Sequence, residues 1–184
     1  MASELQRRKT AVVFNAMDDD SDGFLDRADF AALTARWTEN RGLTTGSPEA
    51  DRLSAIMMGW WETLLEASDV DRDDKVTLDE VLLVVERLAA DTSPVVATAA
   101  AMFEAIDEDG DGRISAAEYR QLIETWNGTS TDTDEIFHLL DLDGDGHVSR
   151  SEFLLLWTEF WAGDSPTAPG TFVFGRFDLP VPTG

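Results

Sequence analysis

The feature that most constrains this chain is an acidic pattern of twelve residues that occurs four times. In each copy an aspartate is followed, at two-residue steps, by two further aspartates, then by an apolar residue at position 8 and a carboxylate at position 12. The copies cover residues 18–29, 69–80, 107–118 and 141–152. Carboxylates this close repel one another unless a cation lies between them. The pattern therefore predicts four cation-binding loops.

The spacing of the carboxylates indicates that the cation is Ca²⁺. Calcium takes six to eight oxygen ligands, and an EF-hand loop supplies them from positions 1, 3, 5, 7, 9 and 12, with glycine at position 6 for a sharp turn. Position 7 contributes its backbone carbonyl. The predicted ligands are Asp18, Asp20, Asp22, Phe24, Asp26 and Asp29; Asp69, Asp71, Asp73, Lys75 and Glu80; Asp107, Asp109, Asp111, Arg113 and Glu118; and Asp141, Asp143, Asp145, His147 and Glu152.

The four loops do not match the pattern equally well. The third and fourth match at every place, and their position-9 serines also form capping boxes with Glu118 and Glu152. The first loop ends in Asp29, which is one methylene shorter than glutamate, so six-fold coordination and Mg²⁺ become the alternative there. The second loop has Asp74 at position 6, where glycine is usual because a positive φ is expected there. It either binds metal or is a vestigial loop that supports its partner.

Helical periodicity flanks every loop, with apolar residues at spacings of three and four on one face. Each unit therefore reads as helix, loop and helix, and the units must pair to bury their apolar faces. The apolar position-8 residues of paired loops should lie opposite one another in an antiparallel ladder, Leu25 with Val76 and Ile114 with Val148. We predict an all-α fold of four EF-hands in two face-to-face pairs.

The predicted organisation has three parts. An N-terminal pair covers residues 1–92, a C-terminal pair covers 93–162, and an apolar tail at 163–184 folds back over the helices. The tail carries Phe172, Val173, Phe174, Phe177 and Leu179, which are too apolar for a free end. Two helix starts are also predicted, one with Ser47 as N-cap before Pro48 and one with Ser93 as N-cap before Pro94.

Composition excludes several classes of function. The net charge of −23 argues against nucleic acid and anionic membrane as partners, because both need a basic face. The chain has no cysteine, no stretch of eighteen apolar residues and no signal-peptide pattern, so we expect a cytoplasmic protein, and a monomer. It lacks common catalytic motifs, and its two histidines, His138 and His147, have no visible acid–base partner. We do not expect an enzyme.

The chain resembles the sarcoplasmic calcium-binding protein family, and most of all its bacterial, calerythrin-like members. The resemblance depends on the four-unit plan, the pattern D-x-D-x-x-G-x-L-x-R-A-D-F at residues 18–30 and the Phe174-Gly175-Arg176 stretch. It implies a compact globule of two face-to-face EF-hand pairs. In calerythrin the second loop is degenerate and binds no metal, whereas this chain keeps most ligands there.

Three functions follow, in order of preference. A calcium buffer or transporter is favoured because bulky Trp and Phe residues fill the exit helices, which suits a closed core. A sensor that exposes an apolar groove to a protein partner is the alternative, although the chain has only five methionines. A small-molecule carrier of the photoprotein type is the third, and an internal cavity of sufficient size would favour it.

Overall fold

A computed structural model describes residues 1–88 and 90–176. Within these residues the order helix, strand, helix occurs four times. The elements are α1 (Glu4–Met17), β1 (Phe24–Leu25), α2 (Arg27–Asn40), α3 (Pro48–Ser68), β2 (Val76–Thr77), α4 (Leu78–Arg87), α5 (Ser93–Ile106), β3 (Arg113–Ser115), α6 (Ala116–Asn127), α7 (Asp134–Leu140), β4 (His147–Ser149) and α8 (Arg150–Ala162). A 3-10 helix, Pro169–Phe172, follows α8. The predicted helical EF-hand fold is confirmed.

The four exit helices, α2, α4, α6 and α8, each follow a loop, and all start in the same way. The side chain at loop position 9 caps the backbone of the first turn, and the carboxylate at position 12 accepts a hydrogen bond from the N-cap backbone. These capping boxes are Asp26–Asp29, Thr77–Glu80, Ser115–Glu118 and Ser149–Glu152. The acidic loop and the helix start therefore share one carboxylate in each unit.

The two predicted N-caps lie at the starts of α3 and α5, which each precede a loop. The Ser47 side chain caps α3 and Pro48 occupies the first turn, as predicted. The prediction for α5 was wrong by one residue: Thr92 is the N-cap and its side chain makes no capping bond. The Asp91 carboxylate instead accepts the Ser93 N–H at 2.9 Å, which satisfies one of the free donors at that helix end.

The paired loops are joined by two short antiparallel ladders. Leu25 lies opposite Val76 in the first and Ile114 lies opposite Val148 in the second, which confirms the predicted register. All four side chains are buried. Each ladder fixes the two loops of a pair against one another, so the loops of a pair cannot move independently.

The apolar faces of the two pairs pack against one another. Helix α3 packs on α5, α2 on α6, and α1 on α8. The tryptophans of three exit helices, Trp37, Trp126 and Trp157, are each at most 5% exposed in this core. A hydrogen bond of 2.9 Å from the Asn40 amide to the Thr125 hydroxyl also connects the halves.

The chain beyond α8 returns over the C-terminal pair. The Phe174 ring lies 4.9 Å from the rings of both Trp126 and Phe160, and the Tyr119 hydroxyl donates to the Phe172 carbonyl at 3.0 Å. The predicted tail contacts of Phe177 and Leu179 lie outside the described residues, and the predicted domain bounds stay predictions. Among the helices of the described residues, none has both the length and the apolar character needed to cross a membrane.

Candidate metal centres

The first aspartate of each loop organises the turn that follows it. Its two carboxylate oxygens accept the backbone N–H groups of positions 5 and 6. In the third loop the Asp107 carboxylate receives Asp111 at 3.1 Å and Gly112 at 3.0 Å. In the fourth loop Asp141 receives Asp145 at 3.1 Å and Gly146 at 2.8 Å. The loop backbone is thus folded around the predicted first ligand.

The position-12 carboxylate closes each loop. Glu118 accepts the Glu108 N–H at 2.9 Å, and its second oxygen accepts both the N–H and the hydroxyl of Ser115 at 2.8 Å. Glu152 is held in the same way by Leu142 and Ser149. These bonds fix the end of the glutamate that is predicted to chelate Ca²⁺ with two oxygens.

Three carboxylates come together in every loop, within 4.8 Å of one another. In the third and fourth loops the group includes the terminal glutamate, whereas in the first and second loops it consists of the aspartates at positions 1, 3 and 5. The groups are Asp18, Asp20 and Asp22; Asp69, Asp71 and Asp73; Asp107, Asp109 and Glu118; and Asp141, Asp143 and Glu152. An all-oxygen, anionic set of this kind suits a hard divalent cation.

The position-7 residues lie at the start of the ladder strands or beside them. Each donates its N–H to the position-5 aspartate at 2.8–3.0 Å, which orders the backbone whose carbonyl is the predicted ligand. The four pairs are Phe24 with Asp22, Lys75 with Asp73, Arg113 with Asp111, and His147 with Asp145.

The first loop differs at its end. The shorter Asp29 reaches the same two backbone donors as glutamate does elsewhere, the N–H groups of Asp19 and Asp26, at 2.9 and 2.8 Å. Burial raises the pKa of Asp29, and repulsion from Asp26 and Asp20 acts in the same direction. At Glu152, in contrast, burial is outweighed by hydrogen bonds from Ser149 and the pKa is lowered. A divalent cation in the first loop would stabilise the charged form of Asp29, which is poorly stabilised without a cation.

The second loop is the most strained of the four. Asp74 has φ +63°, as its place in the loop predicts, and Arg72 also has φ +63°. Residues other than glycine seldom adopt such a positive φ. The Asp69 carboxylate still accepts the N–H groups of positions 5 and 6, but at 3.3 and 3.2 Å. Desolvation raises the pKa of Asp71, and repulsion from Asp73 and Glu80 acts in the same direction.

Lys75 belongs to the second loop by sequence but lies against the first. Its ammonium nitrogen is 3.5 Å from Asp22 and 3.9 Å from Asp26, two predicted ligands of the first loop. It also lies 5.0 Å from the centre of the Phe24 ring. From its place in the sequence alone, this charge would act within its own loop. The antiparallel ladder explains the difference, because the pairing of Leu25 with Val76 brings Lys75, the residue before Val76, next to Asp26, the residue after Leu25.

The two histidines form no acid–base pair among the described residues. His138 Nδ1 lies 2.7 Å from the carbonyl oxygen of Asp134, which is an ordinary contact within a helix. His147 Nδ1 is buried without a hydrogen-bond partner in residues 1–88 and 90–176, and lies 4.0 Å from an Asp145 oxygen.

Comparisons with known proteins agree with this geometry. A family model described as an EF-hand domain pair matches residues 97–158, and one described as EF hand matches residues 11–34. A sarcoplasmic calcium-binding protein from Penaeus sp., the alpha-B and -A chains, is 34% identical over 117 residues. That match covers 59% of this chain and 60% of the relative, so the chain spans about three fifths of the relative's length.

Two solved structures share the fold over almost the whole chain. The sarcoplasmic calcium-binding protein from amphioxus is 20% identical, with a TM-score of 0.70, and the match covers 96% of this chain and all of that one. The coelenterazine-binding protein from Renilla muelleri is 22% identical, with a TM-score of 0.76 and the same coverage. At these identities the likeness concerns the fold.

Four acidic loops, two ladders and the family matches define the class: the chain is an EF-hand protein of the calcium-binding type. Within that class its sequence is similar to the sarcoplasmic calcium-binding proteins, in agreement with the resemblance predicted from residues 18–30 and 174–176. The finer likeness to calerythrin stays a prediction.

Proposed function

We propose that this protein is an intracellular calcium buffer that binds Ca²⁺ in all four loops, with the predicted ligands listed above. The observation that carries the proposal is the burial of the exit-helix faces. Trp37 and Trp157 are 1% exposed, and Val85 and Trp126 are at most 5% exposed. A sensor works by opening such faces to a partner. Here they are packed into one core shared by both halves, so opening them would cost the stability of the whole molecule.

The tail supports the same interpretation for the C-terminal pair. Phe174 occupies the space between α6 and α8, where it contacts Trp126, Trp157 and Phe160. A segment of the chain thereby fills the place that a target helix takes in an opened EF-hand pair. A protein partner would have to displace this segment first.

A calcium titration in the presence of a hydrophobic-surface dye tests buffer against sensor. We expect Ca²⁺ to bind while dye fluorescence changes by less than about twofold. A large, calcium-dependent increase in dye binding, comparable to that of an acid-expanded state of the same protein, would favour the sensor instead.

Calorimetry with single variants tests the number and assignment of sites. Changing the first aspartate of one loop to alanine, in Asp18→Ala, Asp69→Ala, Asp107→Ala and Asp141→Ala, should remove one Ca²⁺ each from a total of four. Asp132→Ala, which alters an exposed aspartate outside the loops, is the control and should leave the stoichiometry unchanged. A stoichiometry of Asp69→Ala equal to that of the parent would mean that the second loop is vestigial.

A further inference from the structure

A partly enclosed cavity lies where the two halves meet, between α1, α3 and α4 of the first and α5 and α8 of the second. It is lined by Trp60, Trp157 and Trp161 and by aliphatic side chains, and its surface is almost entirely apolar. The space open to the centre of a water-sized sphere is about 60 Å³. A single water-sized sphere itself occupies about 10–15 Å³. The cavity therefore has room for roughly one six-membered ring and is far too small for a chromophore of several rings.

The lining argues against water as the natural occupant. A buried water needs two to four polar partners, whereas apolar cavities stay dry and bind small apolar molecules. The Thr98 hydroxyl is already engaged, because it accepts the Trp157 indole N–H at 3.0 Å and donates to the backbone of α5. Three tryptophans offer ring edges and faces to a planar guest.

One polar group on the cavity wall has no partner. Ser68 lines the cavity and is 1% exposed, and its buried hydroxyl has no hydrogen-bond partner within the described part of the chain. Buried polar groups are nearly always paired, and an unpaired one is costly. A ligand with a single hydroxyl group would satisfy it while filling the apolar space.

We propose that this cavity is a binding site for a small aromatic alcohol of about the size of phenol. Its ring lies among the tryptophans and its hydroxyl pairs with that of Ser68. The rim residues Thr63, Ala67 and Val84 are half-buried, so a guest enters between α3 and α4 without opening the core.

The position of the cavity links the guest to the metal loops. Met17 and Ser68 both line it, and they are the last residues of α1 and α3. The next residues are Asp18 and Asp69, the first ligands of the two N-terminal loops. A guest that contacts both helix ends stabilises one arrangement of this loop pair, and linkage then requires calcium to alter the affinity for the guest by an equal factor. This second part of the proposal rests on the proposed calcium binding, whereas the site itself does not.

Phenol is the probe, with toluene as the isostere that lacks the hydroxyl. Tryptophan fluorescence of the full chain should change saturably on titration with phenol, and calorimetry should give one site. In Ser68→Ala, the ratio of phenol affinity to toluene affinity should fall about fivefold, the equivalent of one neutral hydrogen bond. The ratio cancels the effects of hydrophobicity and of cavity size. An unchanged ratio would overturn the role of Ser68, and no saturable binding of either probe would overturn the site.

A matched pair of variants on α4 locates the site. Val84→Phe fills the cavity and should reduce binding of both probes at least tenfold. Leu83→Phe adds a ring one residue away, on a side chain that is 40% exposed and does not line the cavity, and should bind normally. Ala67→Leu serves if Val84→Phe does not fold. Equal binding by Val84→Phe and Leu83→Phe would place the probe elsewhere and contradict the proposal.

Linkage is measured by the phenol affinity with saturating Ca²⁺ and with a chelator, where we expect a difference of about fivefold or more. Asp69→Ala should abolish most of this difference, and Asp141→Ala should keep it. Equal affinities would refute the linkage. Calcium calorimetry on the same samples reports separately whether the proposed calcium binding has failed.

Discussion

Arg41 and Ile106 join the two halves of the molecule. The guanidinium of Arg41, which directly follows α2, donates to the Ile106 carbonyl at 3.2 Å and to the preceding carbonyl, that of Ala105, at 2.5 Å. Ile106 ends α5 and directly precedes the third loop. The guanidinium also lies 3.7 Å from Glu108 inside that loop, and its side chain is only 6% exposed. A cation at a helix C-terminus is favourable because free carbonyls and the helix dipole meet there.

Replacing this cation should weaken the connection between the halves. In Arg41→Met we expect the free energy of unfolding to fall by about 2–3 kcal/mol, because several charge-assisted hydrogen bonds are lost and their acceptors stay buried. Calorimetric unfolding should also broaden as the halves become less cooperative. Arg8→Met removes an exposed ion pair with Glu4 and should change stability by no more than about 0.5 kcal/mol. Equal effects of the two variants would contradict the role of Arg41.

Lys75 should act as a built-in competitor of the metal in the first loop. Its ammonium lies 3.5 Å from the Asp22 carboxylate, and a unit charge at about 4 Å is worth about 1 kcal/mol in water. Lys75→Gln should therefore raise the calcium affinity of that loop about fivefold, as measured by calorimetry at low ionic strength. In an Asp18→Ala background the same change should have no effect on the remaining sites. A gain that persists there would assign Lys75 to its own loop.

The second loop should improve when its strain is removed. Asp74→Gly allows φ +63° at no steric cost, so we expect the loop's calcium affinity to rise by about 0.5–1 kcal/mol. Gly112→Asp is the inverse change in the third loop, where φ is +83° and where, apart from the two chain neighbours, no atom of the described residues lies within 4 Å of the added Cβ. The calcium affinity of the third loop should fall by a similar amount in this variant. Titrations of both variants that show no change would mean that backbone strain does not limit these loops.

Lys9 should make stability depend on pH in the alkaline range. It is 1% exposed and donates to the Gly163 carbonyl at 2.9 Å. Burial lowers its pKa from 10.5 to about 8, although Asp164 and Glu159 partly offset this. Since the unfolded chain holds the proton up to higher pH, the contribution of Lys9 to the free energy of unfolding rises between about pH 8 and 10.5.

Urea unfolding of Lys9→Met at pH 7 and pH 10 tests this sign. The stability of the variant relative to the parent should be higher at pH 7 than at pH 10. Arg8→Met, one residue away and exposed, should show no such trend. If the stability of Lys9→Met relative to the parent increased with pH, the predicted sign would be wrong.

The repeated parts of the molecule could be predicted from sequence because they are local. The helix, loop and helix of each unit follow from the spacing of apolar and acidic residues within about thirty positions. The opposition of Leu25 and Val76 follows from one rule applied to position 8. The loop hydrogen bonds also repeat, so the predicted ligands converge in the same way in each copy.

The parts that occur once could not be predicted. Arg41 contacts residues 64 or more positions away, and no periodic pattern marks it. Lys75 belongs to the second loop in the sequence, but its ammonium group lies against Asp22 of the first loop. The Ser93 cap was misplaced because Asp91 supplies an equally good acceptor. In each case the contact that forms depends on a long side chain or on a second possible acceptor. Sequence patterns do not indicate which of several possible contacts forms.

The ring of Phe174 between Trp126, Trp157 and Phe160 sets a condition on moving the second pair into another protein. A graft that ended with α8 would leave these aromatic rings uncovered. Residues 163–176 must therefore be transferred together with the pair.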